Sequence, residues 1–367
     1  MNKQSKGILT MAYGEQRYID MAKTLAKSLQ LHNDKIPRAI VTDSKDSELS
    51  KLYHLCLPVK PELGNGFRQK LYIDQYSPFE ETLYIDSDCI VVNDIKFIWD
   101  FFSKVSFGVV GYQKREGKAF ADILDVSDII SILGLSSLPV FNGGIYYYKN
   151  NAEAAQVFSE ARRIERDYES LGIAKFRESI ADEPVFAIAL SLCGIEAVQD
   201  PQGLTMRTPL NMTGSLDIDV LKGYCKFIKE GQLVQPAIAH FCGSFAEGFY
   251  YNREKLKLDL LQFNLACVGR LSLYSHLLQF NLARVGRLNL YSHLLQFNLA
   301  RVGRLNLYSH LLQFNLACVG RLSLYSRTLQ GVGIFISLMA NLALPFRYPD
   351  AAYRGLKNAV KRLLKKG

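Results

Sequence analysis

The chain has 367 residues, 49% of them hydrophobic and 22% charged: ordinary globular material, long enough for one large domain or two. Its net charge of +9 is uneven, because from Asp259 onward 14 Lys and Arg stand against 2 Asp and Glu, leaving 30 against 33 before it. The seven cysteines (56, 89, 193, 225, 242, 267 and 318) form no C-x-x-C pair, which argues against a disulfide framework and a zinc site and favours a reducing compartment.

The polar residues 1–6 precede only a short apolar run, which fits no secretory signal. Gly7-Ile8-Leu9-Thr10-Met11-Ala12 reads as a first strand, and Gly14 breaks it. Met21, Ala22, Leu25, Ala26 and Leu29 then recur at helical spacing, predicting a helix from about residue 17 to 31. Pro37 closes the connection, and residues 38–42 make a second strand with Asp43 at its end. A strand, helix, strand opening is that of a nucleotide-binding α/β fold. A loop rich in Gly and Pro (58–66) and a short helix carrying Arg68 and Lys70 lead to Thr82-Leu83-Tyr84-Ile85-Asp86-Ser87-Asp88-Cys89-Ile90-Val91-Val92. The apolar part reads as a strand buried on both faces. Asp is poor in strand interiors, and ligands in open α/β sheets bind outside the carboxyl ends of strands, so Asp86 and Asp88 are expected at the mouth of a site. Around a turn at Ser87 the two carboxylates can converge on one hard divalent cation, which shares phosphate oxygens readily. A solvated turn is the competing reading.

Further on, residues 95–102 read as a helix with the only tryptophan, Trp99, against the sheet, and 107–111 as one strand. Residues 112–139 are mixed and suit acceptor-site loops. Phe141-Asn142-Gly143-Gly144 joins a loop to the aromatic strand 145–148; Gly-Gly lets backbone approach a ligand, or simply makes a tight turn. A charged helix covers 152–168. Asp182-Glu183-Pro184 looks like a helix start, where capping alone would explain both carboxylates. Residues 237–243 form a short strand ending at His240, which is either structural or a ligand.

After residue 258 a 17-residue unit beginning at Asp259 returns at His276, His293 and His310, and the two middle copies are identical. Seventeen residues at about 100° each leave roughly −100° per copy, so one long helix would keep no common apolar stripe; helical pieces broken near Gly269, Gly286, Gly303 and Gly320 are expected. Residues 328–346 carry no charge and approach the roughly 20 residues of a membrane span. The last segment, 353–366, is basic and amphipathic, which suits an anionic membrane surface; without a base-stacking or groove-reading motif, nucleic acid is not the expected partner. The expected organisation is therefore a globular domain over 1–258, repeats over 259–326 and a membrane-associating tail over 327–367, with the protein cytoplasmic and peripheral on the inner membrane face.

Arg68-Gln69-Lys70-Leu71 upstream of Leu83-Tyr84-Ile85-Asp86-Ser87-Asp88, then Phe141-Asn142-Gly143-Gly144, Asp182-Glu183, and His240-Phe241-Cys242-Gly243 resemble, in order and approximate spacing over about residues 7–245, the GT-A glycosyltransferases of the family-8 retaining type. The resemblance implies an α/β fold of Rossmann-like character, a mixed sheet flanked by helices that binds a nucleotide sugar. It implies Mn²⁺ or Mg²⁺ on Asp86, Asp88 and His240, bridging the phosphates of a UDP-sugar and acting as a Lewis acid on the leaving diphosphate. Arg68 and Lys70, with Ser87, would face the donor. Ala12 and Tyr13 would flank the base or ribose, and Asn142 and Asp182 would hold the sugar. Glu183 would serve as nucleophile or ion-pair stabiliser, with Asp182 competing for that role. The acceptor would be a glycan or glycolipid; a protein or soluble glycan acceptor, or an inactive sugar-nucleotide-binding protein, are the alternatives. The chain departs from the family pattern at Met11-Ala12-Tyr13-Gly14, where an acidic residue is expected, and at 244–249, where a lysine and a tryptophan are expected.

Overall fold

A computed structural model describes residues 4–176 and 179–262. The repeats after the first few residues of Asp259's copy, the apolar and basic tail, and the membrane contact expected of it lie outside the described residues. No helix among the described residues is long and apolar enough to cross a membrane.

The expected α/β architecture, a mixed sheet flanked by helices, is present. The first strand, β1 (Gln4–Met11), runs into helix α1 (Gln16–Asn33), then β2 (Arg38–Thr42), β3 (Leu55–Pro58) and β4 (Phe79–Ile85). The six-stranded sheet has the order β3-β2-β1-β4, then Ile145–Lys149, then Phe107–Gly108. The first four strands are parallel, and Ile145–Lys149 is antiparallel to both its neighbours. The chain winds outward from β1 to β3 and then returns to place β4 on the other side of β1. A crevice therefore opens between the carboxyl ends of β1 and β4, the place where open α/β sheets take ligands.

Alternation along the strands explains why both faces are buried. Leu83 and Ile85 of β4, with Ile145 and Tyr147, face Leu25 and Leu29 of α1 and the Ile95–Phe102 segment. Tyr84, Tyr146 and Tyr148 point to the opposite side, against Phe158 and Phe186 of helices Ala152–Arg166 and Asp182–Leu192. Successive side chains in a strand point to opposite faces, so aromatic Tyr146, Tyr147 and Tyr148 are shared between two cores.

The expected single strand over 107–111 is corrected by the structure. Phe107–Gly108 pairs with Ile145–Lys149 in the main sheet, whereas Gly111–Lys114 pairs with Leu138–Phe141 in a separate ribbon. Gly111 is where the ribbon closes in: a Cβ there would stand 2.1 Å from the Val140 carbonyl oxygen. Residues 112–139 hold, besides this ribbon, the helix Val126–Leu133, which Asp125 caps through the Ser127 and Asp128 amides and Gly134 ends at φ +66°. A three-stranded antiparallel sheet over Thr213–Asp219, Tyr224–Lys229 and Gln232–Val234 has no counterpart among the predicted elements. One face of its strands is buried through Leu216, Ile218, Cys225 and Phe227 and the other is exposed, with a register shift between Thr213 and Asp217.

Another short sheet completes the crevice. Strand β5 (Cys89–Val91) pairs antiparallel with Ile238–His240, setting His240 opposite Cys89.

Candidate functional site

Strand β4 stops at Ile85, and a tight turn follows in which the Cys89 amide bonds the Asp86 carbonyl at 3.1 Å. This turn brings Asp86 and Asp88 toward the crevice, with Ser87 buried between them. The Asp86 amide is tied to the Gly144 carbonyl at 2.9 Å, so the Gly-Gly loop lies directly beside the carboxylates. Strand pairing through β5 then delivers His240, whose Nε2 stands 3.0 Å from Asp88 Oδ1 and 3.8 Å from Asp86 Oδ2.

Hydrogen bonding sets the imidazole tautomer. The Gly144 amide donates to Asn142 Oδ1 at 3.2 Å, which identifies that atom as the amide oxygen. His240 Nδ1 approaches the same oxygen at 2.5 Å and must therefore carry the proton that it donates there. In a neutral ring Nε2 then presents a lone pair, the arrangement by which a histidine is oriented as a metal ligand. The lone pair faces a carboxylate oxygen, and only a proton or a cation between them relieves that opposition. Burial works to lower the His240 pKa, but Asp88 and Asp86 outweigh it and hold the ring above its ordinary value.

Gly144 is required by this packing: a Cβ on it would stand 2.5 Å from His240 Nδ1. The Gly-Gly loop is therefore more than a turn before a strand. At Gly143 an added Cβ would meet the Tyr146 hydroxyl at 2.8 Å and Glu183 Cγ at 3.0 Å.

The opposite wall holds Lys70, from the 3₁₀ segment Gly66–Gln75. Its ammonium lies 2.8 Å from Asp86 Oδ2 and 3.2 Å from Asp182 Oδ2. Desolvation opposes its charge, yet Asp182 and Asp86 prevail and keep the ammonium well above the usual lysine range. Tyr84 donates to Asp86 Oδ1 at 2.9 Å, and Tyr146 to Asp182 Oδ2 at 2.7 Å. The Asp86 carboxyl is pushed up, first by burial and then by Asp88, with Lys70 pulling the other way.

Asp182 and Glu183 stand in the first turn of Asp182–Leu192, as expected of a helix start, but the N-cap is Ala181 and no side chain caps the helix. Glu183 Oε1 instead accepts the Gly143 amide at 2.7 Å. Burial, followed by neighbouring Asp182, raises the Glu183 carboxyl to about 7. Asp86, Asp88, Asp182 and Glu183 thus face only Lys70 and His240 among the described residues, and the crevice is short of positive charge.

A divalent cation fits this donor set. The ligand atoms of Asp88, Cys89 and His240 all lie within 4.8 Å of one another, with Asp86 Oδ2 alongside at 3.8 Å from the imidazole. The structure thus brings together Lys70, Asp86, Ser87, Asp88, Asn142, Asp182, Glu183 and His240. Ala12, directly after β1, is buried at the same crevice. The Tyr13 hydroxyl turns to the Gly66 carbonyl at 2.7 Å, and burial pushes its pKa up to about 12. Arg68 lies outside the carboxylate network: half exposed, it pairs with buried Glu165 at 2.8 Å.

Three participants, together with Glu165 as the partner of Arg68 outside the network, are not among the sequence candidates. Tyr84 carries a signal, since it precedes Asp86 by two strand positions and shares its face. Tyr146 reaches the site because it stands opposite Tyr84 in the sheet, a register that spacing alone does not reveal. Cys89 has no C-x-x-C spacing to mark it, because its neighbour His240 comes from a distant strand. Glu165 resembles any other acid on a charged helix.

No protein-family model and no curated protein matches the chain. Among solved structures it is similar to the galactosyltransferase LgtC in complex with donor and acceptor sugar analogs, at 14% identity over 65% of this chain and 87% of that one, with a TM-score of 0.43. It is also similar to mouse xyloside xylosyltransferase 1 (13% identity, 64% of this chain and 97% of that one, TM-score 0.41). A third is the glycosyltransferase GlyE of Streptococcus pneumoniae (16% identity, 55% and 46%, TM-score 0.37). Each of these similar structures is a glycosyltransferase.

Proposed function

We propose that the chain is a metal-dependent retaining glycosyltransferase that moves a hexose from a UDP-sugar to a glycan or lipid-linked acceptor. The observation that carries this reading is the meeting of Asp86, Asp88 and His240 at the carboxyl end of β4, in a crevice with more carboxylates than cations. A diphosphate cannot enter such a crevice unaided, because its charge has the same sign as the walls. A divalent ion such as Mn²⁺ or Mg²⁺, when bound by Asp86, Asp88 and His240, would supply the missing positive charge and neutralise the leaving diphosphate.

The chain's own residues do the rest. Asn142 holds the His240 proton on Nδ1 and so keeps Nε2 aimed at the ion. Lys70 locks Asp86 and Asp182 at a fixed separation. Beneath the position of the sugar, Asp182 Oδ2 accepts from both the Lys70 ammonium and Tyr146, while among the described residues Glu183 Oε1 accepts only from the neutral Gly143 amide. Glu183 is therefore the freer carboxylate to stabilise an oxocarbenium-like centre, and Asp182 orients the donor. In this reading the cationic end of the chain meets the anionic inner face of a membrane, where a lipid-linked acceptor is found.

Release of UDP from a panel of UDP-sugars, with Mn²⁺ or Mg²⁺ present, tests the assignment. At least one sugar should be turned over, and Asp88→Ala should lower kcat by on the order of 10³-fold. Absence of turnover with every donor, or turnover untouched by Asp88→Ala and by chelation, would overturn it.

A further inference from the structure

We infer that Cys89 is a ligand of the cation, so that the centre can hold a zinc-like ion through one carboxylate (Asp88), one thiolate (Cys89) and one imidazole (His240). The inference rests on the proposed cation site and goes beyond it by naming a sulfur donor and the class of ion that the donor selects.

The pairing of β5 with Ile238–His240 places Cys89 and His240 directly opposite each other, and facing residues of an antiparallel pair bring their side chains together on one face. The sulfur, the imidazole nitrogen and an Asp88 oxygen lie within 4.8 Å of one another, close enough for a single ion to reach all three. Both Cys89 and His240 are buried, and Asp88 supplies the side open to the crevice. Asp86, by contrast, is already engaged: Lys70 holds one of its oxygens and Tyr84 the other. An ion that favours sulfur and nitrogen is therefore held first by Asp88, Cys89 and His240, and Asp86, whose oxygens keep further lone pairs, remains a ligand for a harder ion.

Three protein ligands with the fourth position open is the pattern of a catalytic zinc centre, and a thiolate with an imidazole favours Zn²⁺ or Co²⁺ over Mg²⁺ and Mn²⁺. Binding breaks the Cys89 S–H bond. The proton passes to solvent and the sulfur lone pair to the ion, with no change of oxidation state. The weak contact from the thiol to the Gly144 carbonyl, 3.8 Å, is lost in exchange.

The test uses the full chain stripped of metal by a chelator and titrated with CoCl₂. One equivalent of Co²⁺ should produce a thiolate-to-cobalt charge-transfer band in the near ultraviolet, which ZnCl₂ bleaches and MgCl₂ leaves in place. Cys89→Ser and Cys89→Ala should both lose the band and weaken Zn²⁺ binding by more than about tenfold. Cys56→Ser, which removes an exposed thiol, should keep it. Should both Cys89 variants fail to fold, survival of the band and of the proton release in Cys242→Ser decides, since Cys242 is the other thiol that lies near Asp88. One equivalent of Co²⁺ bound without the band, or a band that survives Cys89→Ser, overturns the sulfur ligand and leaves the ion on Asp86, Asp88 and His240. Failure of Co²⁺, Zn²⁺, Mn²⁺ and Mg²⁺ alike to bind overturns the cation site itself.

Discussion

The two walls of the crevice carry the same kind of residue and are treated in opposite ways. At the Lys70 wall, Asp86 and Asp182 are bridged by a buried ammonium and each is bonded by a tyrosine, so the charge there is balanced inside the protein. At the His240 wall, Asp88 faces imidazole Nε2 while Nδ1 donates to Asn142, and the gap between Nε2 and the carboxylate is closed by a proton or by a cation from outside. A balanced wall holds shape and an unbalanced wall binds. Asp86 belongs to both, which is how a ligand at one wall can be registered against the other.

Removing the ammonium breaks the comparison most sharply. Lys70→Ala leaves two buried carboxylates without their counter-charge, and the loss of one partner of a buried pair costs about 3–5 kcal/mol. Urea denaturation should show that loss, and Lys70→Met combined with Asp182→Asn should recover a large part of it. Equal stability of Lys70→Ala and wild type would show that the wall is not internally balanced.

The His240 wall is sharpened by Gly144→Ala. The added methyl has to displace the imidazole, because His240 Nδ1 stands 2.5 Å from where it would go. Metal affinity should fall by about 10–100-fold, the range seen when the support of a metal-bound histidine is disturbed, while calorimetry shows the fold intact.

Glu183 reports the field between the walls. Its carboxyl is raised to about 7, so the folded state binds a proton more tightly than the unfolded state, whose value is near 4.5. Stability from this group is then full below about 4.5 and declines as the pH rises towards 7, and the penalty is complete above that. Glu183→Gln keeps an oxygen for the Gly143 amide and removes the charge. It should be more stable than wild type by about 1–3 kcal/mol at pH 8 and indistinguishable from it at pH 4.5, since each tenfold difference in proton affinity between the two states is worth roughly 1.4 kcal/mol. The reverse pH dependence would place Glu183 in a favourable, cation-rich field.

The smallest effect belongs to Arg68, which lies outside both walls. Because its side chain is half exposed, Glu165→Gln should change stability by under about 1 kcal/mol. If the pair positions Arg68 for the donor, KM for the UDP-sugar should nevertheless rise several-fold with kcat unchanged. An unaltered KM would make the pair a surface tie between the 3₁₀ segment and the helix that follows the aromatic strand.

Much of this is legible in the residues themselves. The apolar run before Asp86, the helical spacing in α1 and the end of β2 at Thr42 follow from local periodicity, which reports burial directly. The strand expected over 107–111 is divided because two different partners take its two ends, and a run of apolar residues does not name its partner. The sheet over 213–234 does leave a trace in the alternation of Leu216 and Ile218 with Asp217 and Asp219 and of Cys225 and Phe227 with Lys226, but runs this short do not name their partners.

By itself, then, the order of residues determined where the carboxylates stand, at the end of a buried strand, since Asp is poorly tolerated within one and the apolar run has to stop there. Only the tertiary structure decided which of them are balanced. That depended on Lys70 reaching across from a 3₁₀ turn, on Tyr146 falling opposite Tyr84, and on β5 pairing with Ile238–His240 to bring imidazole and thiol together. These are contacts between distant segments, set by sheet register and close approach at Gly144, and spacing along the chain holds no record of them.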